Sequence, residues 1–512
     1  MRYKLFIWSE NNMNEENKRE FIFRCREFLS AQSLASLRSY GREVGVVSPT
    51  SRKKGELIEE IIGVLSNEIP AQARSGRGAP VLDDRPDVKI VQEIERLKAK
   101  YDAPTATGTG YGIPDYHFEE RLKELRKNQT IFVLNSNAHV DCNADGTPRV
   151  FRGQMATHDD VSFLIPLDYM KDEEKLLLPI DFIRSYGLKD GDVISCYAKK
   201  NENIAIVMKI LDVNGCEPAY LKRNGNFDGL NVRYPVGKIK VYDTDVSSSI
   251  TAKYMDWVVP FGRGQRALIV APPKTGKTQF LEKVACGGAK LNADVTTLVL
   301  LIDQSPETVA QFRKVIDKDC LAYATYEDEP ERQVFVAESM LKRAKRLAEC
   351  GKDVLLIVDS LNALARAYNE TEESSGGKML PCGLESKTVH YIKKYFGAAR
   401  CLEVGGSLTV VGTVSNATGN PADDLLATEL SAICNLQIQL KESLAAKRIF
   451  PALGTDSVYV KHNEGEGRGE PETLVLLRRA KPERFGDVEL ITLLENSSSL
   501  QEFNEKLRKF SK

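Results

Sequence analysis

The segment Ala271-Pro-Pro-Lys-Thr-Gly276-Lys277-Thr278 constrains this chain more than any other. The apolar run Ala267 to Val270 precedes it, and Leu281, Val284 and Ala285 follow at helical spacing. A strand, a glycine-bearing loop and a helix, in that order, are the context a phosphate loop needs. Backbone N–H groups and the helix N-terminus then hold phosphate oxygens. Pro273, Lys274, Thr275, Gly276, Lys277, Thr278 and Gln279 are therefore the candidate nucleotide-binding residues. Lys277 is expected to reach the β- and γ-phosphates of ATP, and Thr278 to ligate Mg²⁺. Ala271 stands where the consensus has its first glycine.

Two more apolar runs end in polar residues. Val354-Leu-Leu-Ile-Val358-Asp359 reads as a buried strand presenting a carboxylate to the metal, as a Walker B strand does. Val299-Leu-Leu-Ile302-Asp303-Gln304 ends a second such strand. RecA-like motors usually place a Glu at the last of these positions to polarise the attacking water. Gln304 can orient a water but cannot take its proton, and general-base assistance contributes about 10²–10⁴-fold.

The rest of the chain divides by pattern. It has 512 residues, enough for roughly two to four domains. Residues 1–66 read as a small helical module. Leu34, Leu37, Tyr40 and Val44 recur at helical spacing, and Leu57, Ile58, Ile61 and Ile62 mark a second helix. The turn between them carries Arg52, Lys53 and Lys54, which suits either nucleic-acid contact or simple docking. Residues 67–127 read as a linker with charged helices. Residues 128–245 hold strand-like runs at 131–134, 161–165, 192–197 and 204–211, the spacing of a small barrel of OB or cold-shock type. From 250 to 512 strands alternate with helices, which implies a parallel sheet covered by helices. The expected fold is thus multi-domain: α-helical module, β-barrel, then an α/β RecA-like P-loop ATPase domain. Lys342 to Arg346 reads as a solvated helix face.

Net charge of -1 gives no global attraction for a polyanion, so any nucleic-acid site must be a local basic patch. No C-x-x-C pair occurs among the ten cysteines, which reads as reduced thiols in a cytoplasmic protein. No apolar run reaches the ~18 residues that span a bilayer, so no membrane is expected.

Several further motifs follow one another along 256–452. They are Gly262-Arg-Gly-Gln-Arg266, Leu364-Ala-Arg-Ala-Tyr-Asn369, Phe396-Gly-Ala-Ala-Arg400, Gly405-Gly-Ser-Leu-Thr409 and Ala446-Lys-Arg-Ile-Phe-Pro-Ala452. With the phosphate loop, they resemble the bacterial transcription termination factor Rho family in its own order. The resemblance implies a homo-hexameric ring that binds ATP and Mg²⁺ between subunits and moves single-stranded RNA through its centre, with RNA polymerase as a possible partner. By position, Arg366 and Arg448 fall on arginines near the subunit-interface ATP site and join Gln304 as candidate catalytic residues. Gly377 and Lys378 fall in one RNA-contacting channel loop, and Gly419 in a second. Phe163 falls on the barrel strand that stacks RNA bases, though it can equally be a core residue.

The departures cluster at function. Gln304 replaces the family's Glu, Ser305 its adjacent Arg, Ala363 an Arg after Walker B, and Pro421 a channel Lys. The arginine-finger loop does not align cleanly: counting without a gap gives Ser457, and with one gives Lys461 or Arg468. On the barrel strand, Val161 replaces an aromatic and Ile165 a basic residue, with Asp159 and Asp160 alongside. The resemblance implies an ATP-dependent RNA translocase or helicase. The departures suit an alternative, a weakened paralogue forming a regulatory ring that binds ATP and RNA with little hydrolysis. A rotary proton-ATPase subunit shares the motor fold but lacks these signatures.

Overall fold

The computed structural model describes parts of 22–65, residues 90, 94, 141, 148–158, 161–169, 175–201, 204–218, 221, 225–245, 249–371, 379–461 and 471–510. Lys378, Gly377, Arg468, Asp159, Asp160 and the strand expected at 131–134 lie outside these. The chain divides into two compact units, Met1–Gly110 and Tyr111–Lys512.

In the first unit, helix α1 (Leu34–Val44) and helix α2 (Lys54–Leu65) pack through the apolar positions the sequence pattern picks out. Leu37, Leu57 and Ile61 are fully buried there, with Ile90 and Ile94 in the same cluster. The core of this unit therefore draws on residues beyond 66, from the stretch the sequence suggests is linker. Of the basic turn, Arg52 pairs with Glu60 at 2.8 Å, and Lys54 Nζ donates to the Ser30 carbonyl at 2.8 Å.

The second unit begins with a closed barrel. Its strands are β1 (Val150–His158), β2 (Val161–Ile165), β3 (Leu176–Leu177), β4 (Val193–Asn201) and β5 (Ile204–Val213), in the order β1-β2-β3-β5-β4. A short helix α3 (Ile180–Tyr186) lies between β3 and β4. Along β2 the faces alternate: Leu164 fills the barrel, while Val161, Phe163 and Ile165 point outward into a different apolar cluster.

After β6 (Val232–Arg233) and β7 (Val236–Ile239) comes helix α4 (Ile250–Trp257), then β8 (Phe261–Arg263) and β9 (Arg266–Ala271). Helix α5 (Lys277–Leu291) opens on the phosphate loop. Strand β10 (Val295–Gln304), helix α6 (Pro306–Phe312), strand β11 (Leu321–Thr325) and helix α7 (Pro330–Glu349) follow. Then come β12 (Asp353–Asp359), α8 (Leu361–Thr371), α9 (Ser386–Phe396), β13 (Arg400–Leu402), β14 (Ser407–Ser415) and α10 (Pro421–Ile433). The rest is β15 (Leu436–Gln439), α11 (Glu442–Ala446), β16 (Val458–Val460), α12 (Glu472–Arg479), α13 (Asp487–Glu495) and α14 (Leu500–Arg508).

The main sheet runs β11-β10-β12-β14-β9-β15-β16, parallel along this path except at β15–β16, with β13 paired antiparallel to β14 and to β6. Its central strands are near-continuous Val, Leu and Ile because helices cover both faces. In such a sheet the carboxyl ends of the strands form the ligand crevice. β9, β10, β12 and β14 all deliver their last residues to one edge.

Helix α7 ties the barrel to the sheet. Arg152 of β1 pairs with Asp319 at 2.9 Å, and Gln154 donates to the Ser339 carbonyl at 2.9 Å. Arg343 is only 3% exposed and donates to the Asp319 carbonyl at 2.6 Å. Within the solvated face expected over Lys342–Arg346, Lys342 is exposed as expected, whereas Arg343 is buried and corrects that expectation. Part of the polar side of α7 meets the barrel, where Arg343 and Gln154 are buried and hydrogen-bonded. Among the described residues, no helix is long and apolar enough to cross a membrane, and the cysteines are free, four buried and five half-buried.

Candidate nucleotide site

The phosphate loop leaves β9 and turns back on itself before α5. Lys274 and Gly276 take left-handed backbone angles, φ 63° and 88°. Alternating hand of this kind turns successive N–H groups into one concavity that accepts anionic oxygens. Thr275 is buried and donates from Oγ1 to the Pro272 carbonyl at 2.7 Å, which ties the loop to itself. Pro273, Lys274 and Gln279 are exposed on its rim.

The end of β12 faces this loop. Asp359 is 1% exposed. Its Oδ2 accepts from Thr278 Oγ1 at 2.9 Å, and its Oδ1 accepts from Thr413 Oγ1 at 2.7 Å. A hydroxyl and a carboxylate at that separation form an all-oxygen donor set, which suits a hard cation such as Mg²⁺ completed by phosphate oxygens and water. Thr278 and Asp359 are the residues that would hold it. Lys277 Nζ bonds Ser415 Oγ at the end of β14. Burial pushes the Lys277 ammonium below the usual lysine range, opposed by Asp359 and Asp423.

A polar chain continues from there. Ser415 N donates to Asn362 Oδ1 at 2.7 Å, and Asn362 Nδ2 donates to Asp423 Oδ1 at 2.6 Å. Arg366 lies 3.7 Å from Asp423 and 3.4 Å from Asp303. The structure thus brings Lys277, Thr278, Asp359 and Arg366 together around one crevice. Gln304 ends β10 beside them, half-buried, next to a register shift that leaves Asp303 unpaired in the strand ladder. Ser305 caps α6 by accepting from Thr308 N at 3.3 Å. Ala363 is buried in the core.

Residues 251–458 match the ATP synthase alpha/beta family, nucleotide-binding domain. The transcription termination factor Rho of Escherichia coli strain K12 is 31% identical over 395 residues, covering 75% of this chain and 92% of that protein. This chain belongs to the Rho family. Rho of Pseudomonas fluorescens biotype C is 33% identical over 354 residues, covering 67% of this chain and 83% of that protein. Rho of Aquifex aeolicus is 30% identical over 457 residues, covering 88% and 87%. The α/β domain of this Rho-family chain is accordingly a RecA-like P-loop ATPase domain.

The remaining predicted residues fall elsewhere. Arg448 is exposed with φ 57°, just after α11. Gly419, at φ 81°, is an exposed turn before α10. Ser457 is buried and accepts from Gly454 N at 2.7 Å, so its hydroxyl is already used within the fold, while Lys461 is exposed. Phe163 is 5% exposed, inside an apolar cluster with Val161, Ile165, Tyr169, Leu177 and Ile206. Its ring is core, not an open platform for bases. The outward face of β2 is apolar and closed, because Val161, Phe163 and Ile165 all pack into this cluster.

Thr413, Ser415, Asn362 and Asp423 join the site without a signal in the sequence, and Phe450 lies beside it. Phe450 is 44% exposed, yet a methyl on Gly276 would come within 3.3 Å of its ring. The exposed ring thus lies against the phosphate loop. The only signal for it was its place in the Arg-Ile-Phe-Pro motif.

Proposed function

We propose that this chain is a Rho-type ATP-dependent translocase acting on nascent single-stranded RNA, working as a homo-hexameric ring. The observation that carries the reading is the Lys277, Thr278 and Asp359 cluster at the carboxyl edge of the sheet, in a chain of this family. ATP would lie along the phosphate loop with Mg²⁺ between Thr278 and Asp359 and the base against Phe450. Arg448, exposed two residues before Phe450, would serve as a catalytic arginine near the subunit-interface ATP site. The turn at Gly419 and the loop holding Gly377 and Lys378 would meet RNA in the channel. The barrel of OB or cold-shock type would serve as a spacer and guide, since the outward face of β2 is closed. RNA polymerase is the expected partner in the cell.

A second reading is favoured by Gln304 and Ser305: a ring that binds ATP and RNA but turns over slowly, regulating rather than driving termination. Measuring ATP hydrolysis by the purified protein, with and without cytidine-rich RNA, separates the two. RNA-stimulated turnover is expected for the translocase. ATP binding without turnover would leave the regulatory ring as the reading that stands.

A further inference from the structure

The site has lost its expected base at position 304, but it has not lost every carboxylate. Three belong to the polar network around the phosphate loop. Asp359 is 1% exposed, and both its oxygens are held, by Thr278 and Thr413. Asp423 is 8% exposed and accepts from Asn362 at 2.6 Å and Thr418 at 2.8 Å. Asp303 differs from both. Its side chain is 35% exposed, and among the described residues its contact is a single long one, 3.4 Å to Arg366.

Its backbone is also unusual. Asp303 is a non-glycine residue at φ 59°, in the left-handed region. The β10–β11 ladder pairs Ile302 with Ala324 and Gln304 with Thr325, skipping Asp303. Such a bulge re-aims a side chain and is common beside active sites. Strained angles of this kind persist where the surroundings hold them, and they cluster at functional sites. Arg366 supplies the link to the chemistry. It spans Asp303 and Asp423, and its charge bears on the Lys277 ammonium. Asp303 is therefore joined through Arg366 to the polar network around Lys277, contacted by an arginine and open to water.

We propose that Asp303 is the general base of this enzyme, replacing the carboxylate missing at Gln304. The inference rests on the nucleotide site described above. A water oxygen bonds to the γ-phosphorus as the bond from that phosphorus to the bridging oxygen breaks. ADP departs with the bonding electron pair. The water's proton passes to the Asp303 carboxylate and then to solvent, so the products are ADP, inorganic phosphate and a proton. Gln304 beside it holds the water by hydrogen bonds. Moving the carboxylate one residue back along the strand is what the bulge makes geometrically possible.

The test uses the full chain with ATP, Mg²⁺ and cytidine-rich RNA, measuring turnover and nucleotide affinity separately. Asp303→Asn keeps the shape and is expected to lower kcat about 100-fold or more, the usual worth of a general base, with ATP affinity little changed. The double variant Asp303→Asn, Gln304→Glu puts the carboxylate back at 304 and is expected to recover turnover. A purely structural role for Asp303 in holding Arg366 predicts no recovery, and that result would overturn the proposal. So would wild-type turnover in Asp303→Asn, or a wild-type protein that binds ATP without hydrolysing it. A wild-type protein that fails to bind ATP would overturn both this proposal and the nucleotide site beneath it.

Discussion

At the scale of the residue, Lys277 shows how the site trades stability for a ligand. Its ammonium is taken from water into a crevice, bonded to Ser415 and flanked by Asp359 and Asp423. Burial lowers its pKa, so the unfolded chain binds the proton more tightly than the folded one. The charge therefore costs folding stability below the folded pKa, and the cost fades as pH rises from there to the ordinary lysine value. Lys277→Met keeps the length and removes the charge. It is expected to abolish detectable ATP binding while leaving the ligand-free protein as stable or more so, by about 1 kcal/mol. Calorimetric titration with ATP and a thermal melt without it check the two halves. Retained affinity would end the phosphate-loop assignment. The loop itself was legible in the sequence, because its strand, turn and helix are contiguous and each leaves a local pattern. Phe450 and Asp303 were not. One reaches Gly276 from far along the chain, and the other depends on a ladder register set by β11, and neither leaves a trace in local spacing.

At the scale of the element, helix α7 is the joint between barrel and sheet, and the fit is backbone against backbone. Gly191, at φ 96° in the turn before β4, sits where a methyl would fall 2.6 Å from the Lys342 carbonyl carbon. Gly187 nearby also has a left-handed angle, φ 58°, but a methyl there meets open space. The pair separates two costs. Gly187→Ala should lose about 1 kcal/mol, the penalty of the left-handed backbone alone. Gly191→Ala adds a clash that only a shift of the barrel can relieve, and it should lose a further 1–3 kcal/mol or so, typical of overpacking. Urea denaturation followed by tryptophan fluorescence measures both. Equal losses would mean that the turn does not bear on α7 in solution. The sequence marks Lys342 to Arg346 as a helix face. It was silent on what the charged side touches, and so Arg343 read as solvated when it is one of the most buried charges in the joint.

At the scale of the whole molecule, the proposed function raises the question of where RNA would meet a ring of these chains. Two regions compete, the barrel and the channel edge of the motor domain. Net charge decides nothing, at -1 over 512 residues. The barrel's outward β2 face decides more. Val161, Phe163 and Ile165 are 1%, 5% and 3% exposed and pack in one cluster with core residues of the motor domain. Opening that face to stack a base would uncover apolar surface continuous with the motor core. Phe163→Ala should therefore behave as a core truncation, costing about 3–5 kcal/mol of stability. It should leave RNA affinity unchanged where the protein is folded, whereas removing a stacking platform costs about 1–3 kcal/mol of binding. Fluorescence anisotropy with a labelled cytidine-rich strand, at a temperature where a melt shows the variant folded, distinguishes these. An affinity loss without a stability loss would mean that the cluster opens to RNA and that the barrel still reads sequence. A stability loss alone would place RNA contact on the motor domain, so that strand capture and ATP turnover depend on the same set of residues.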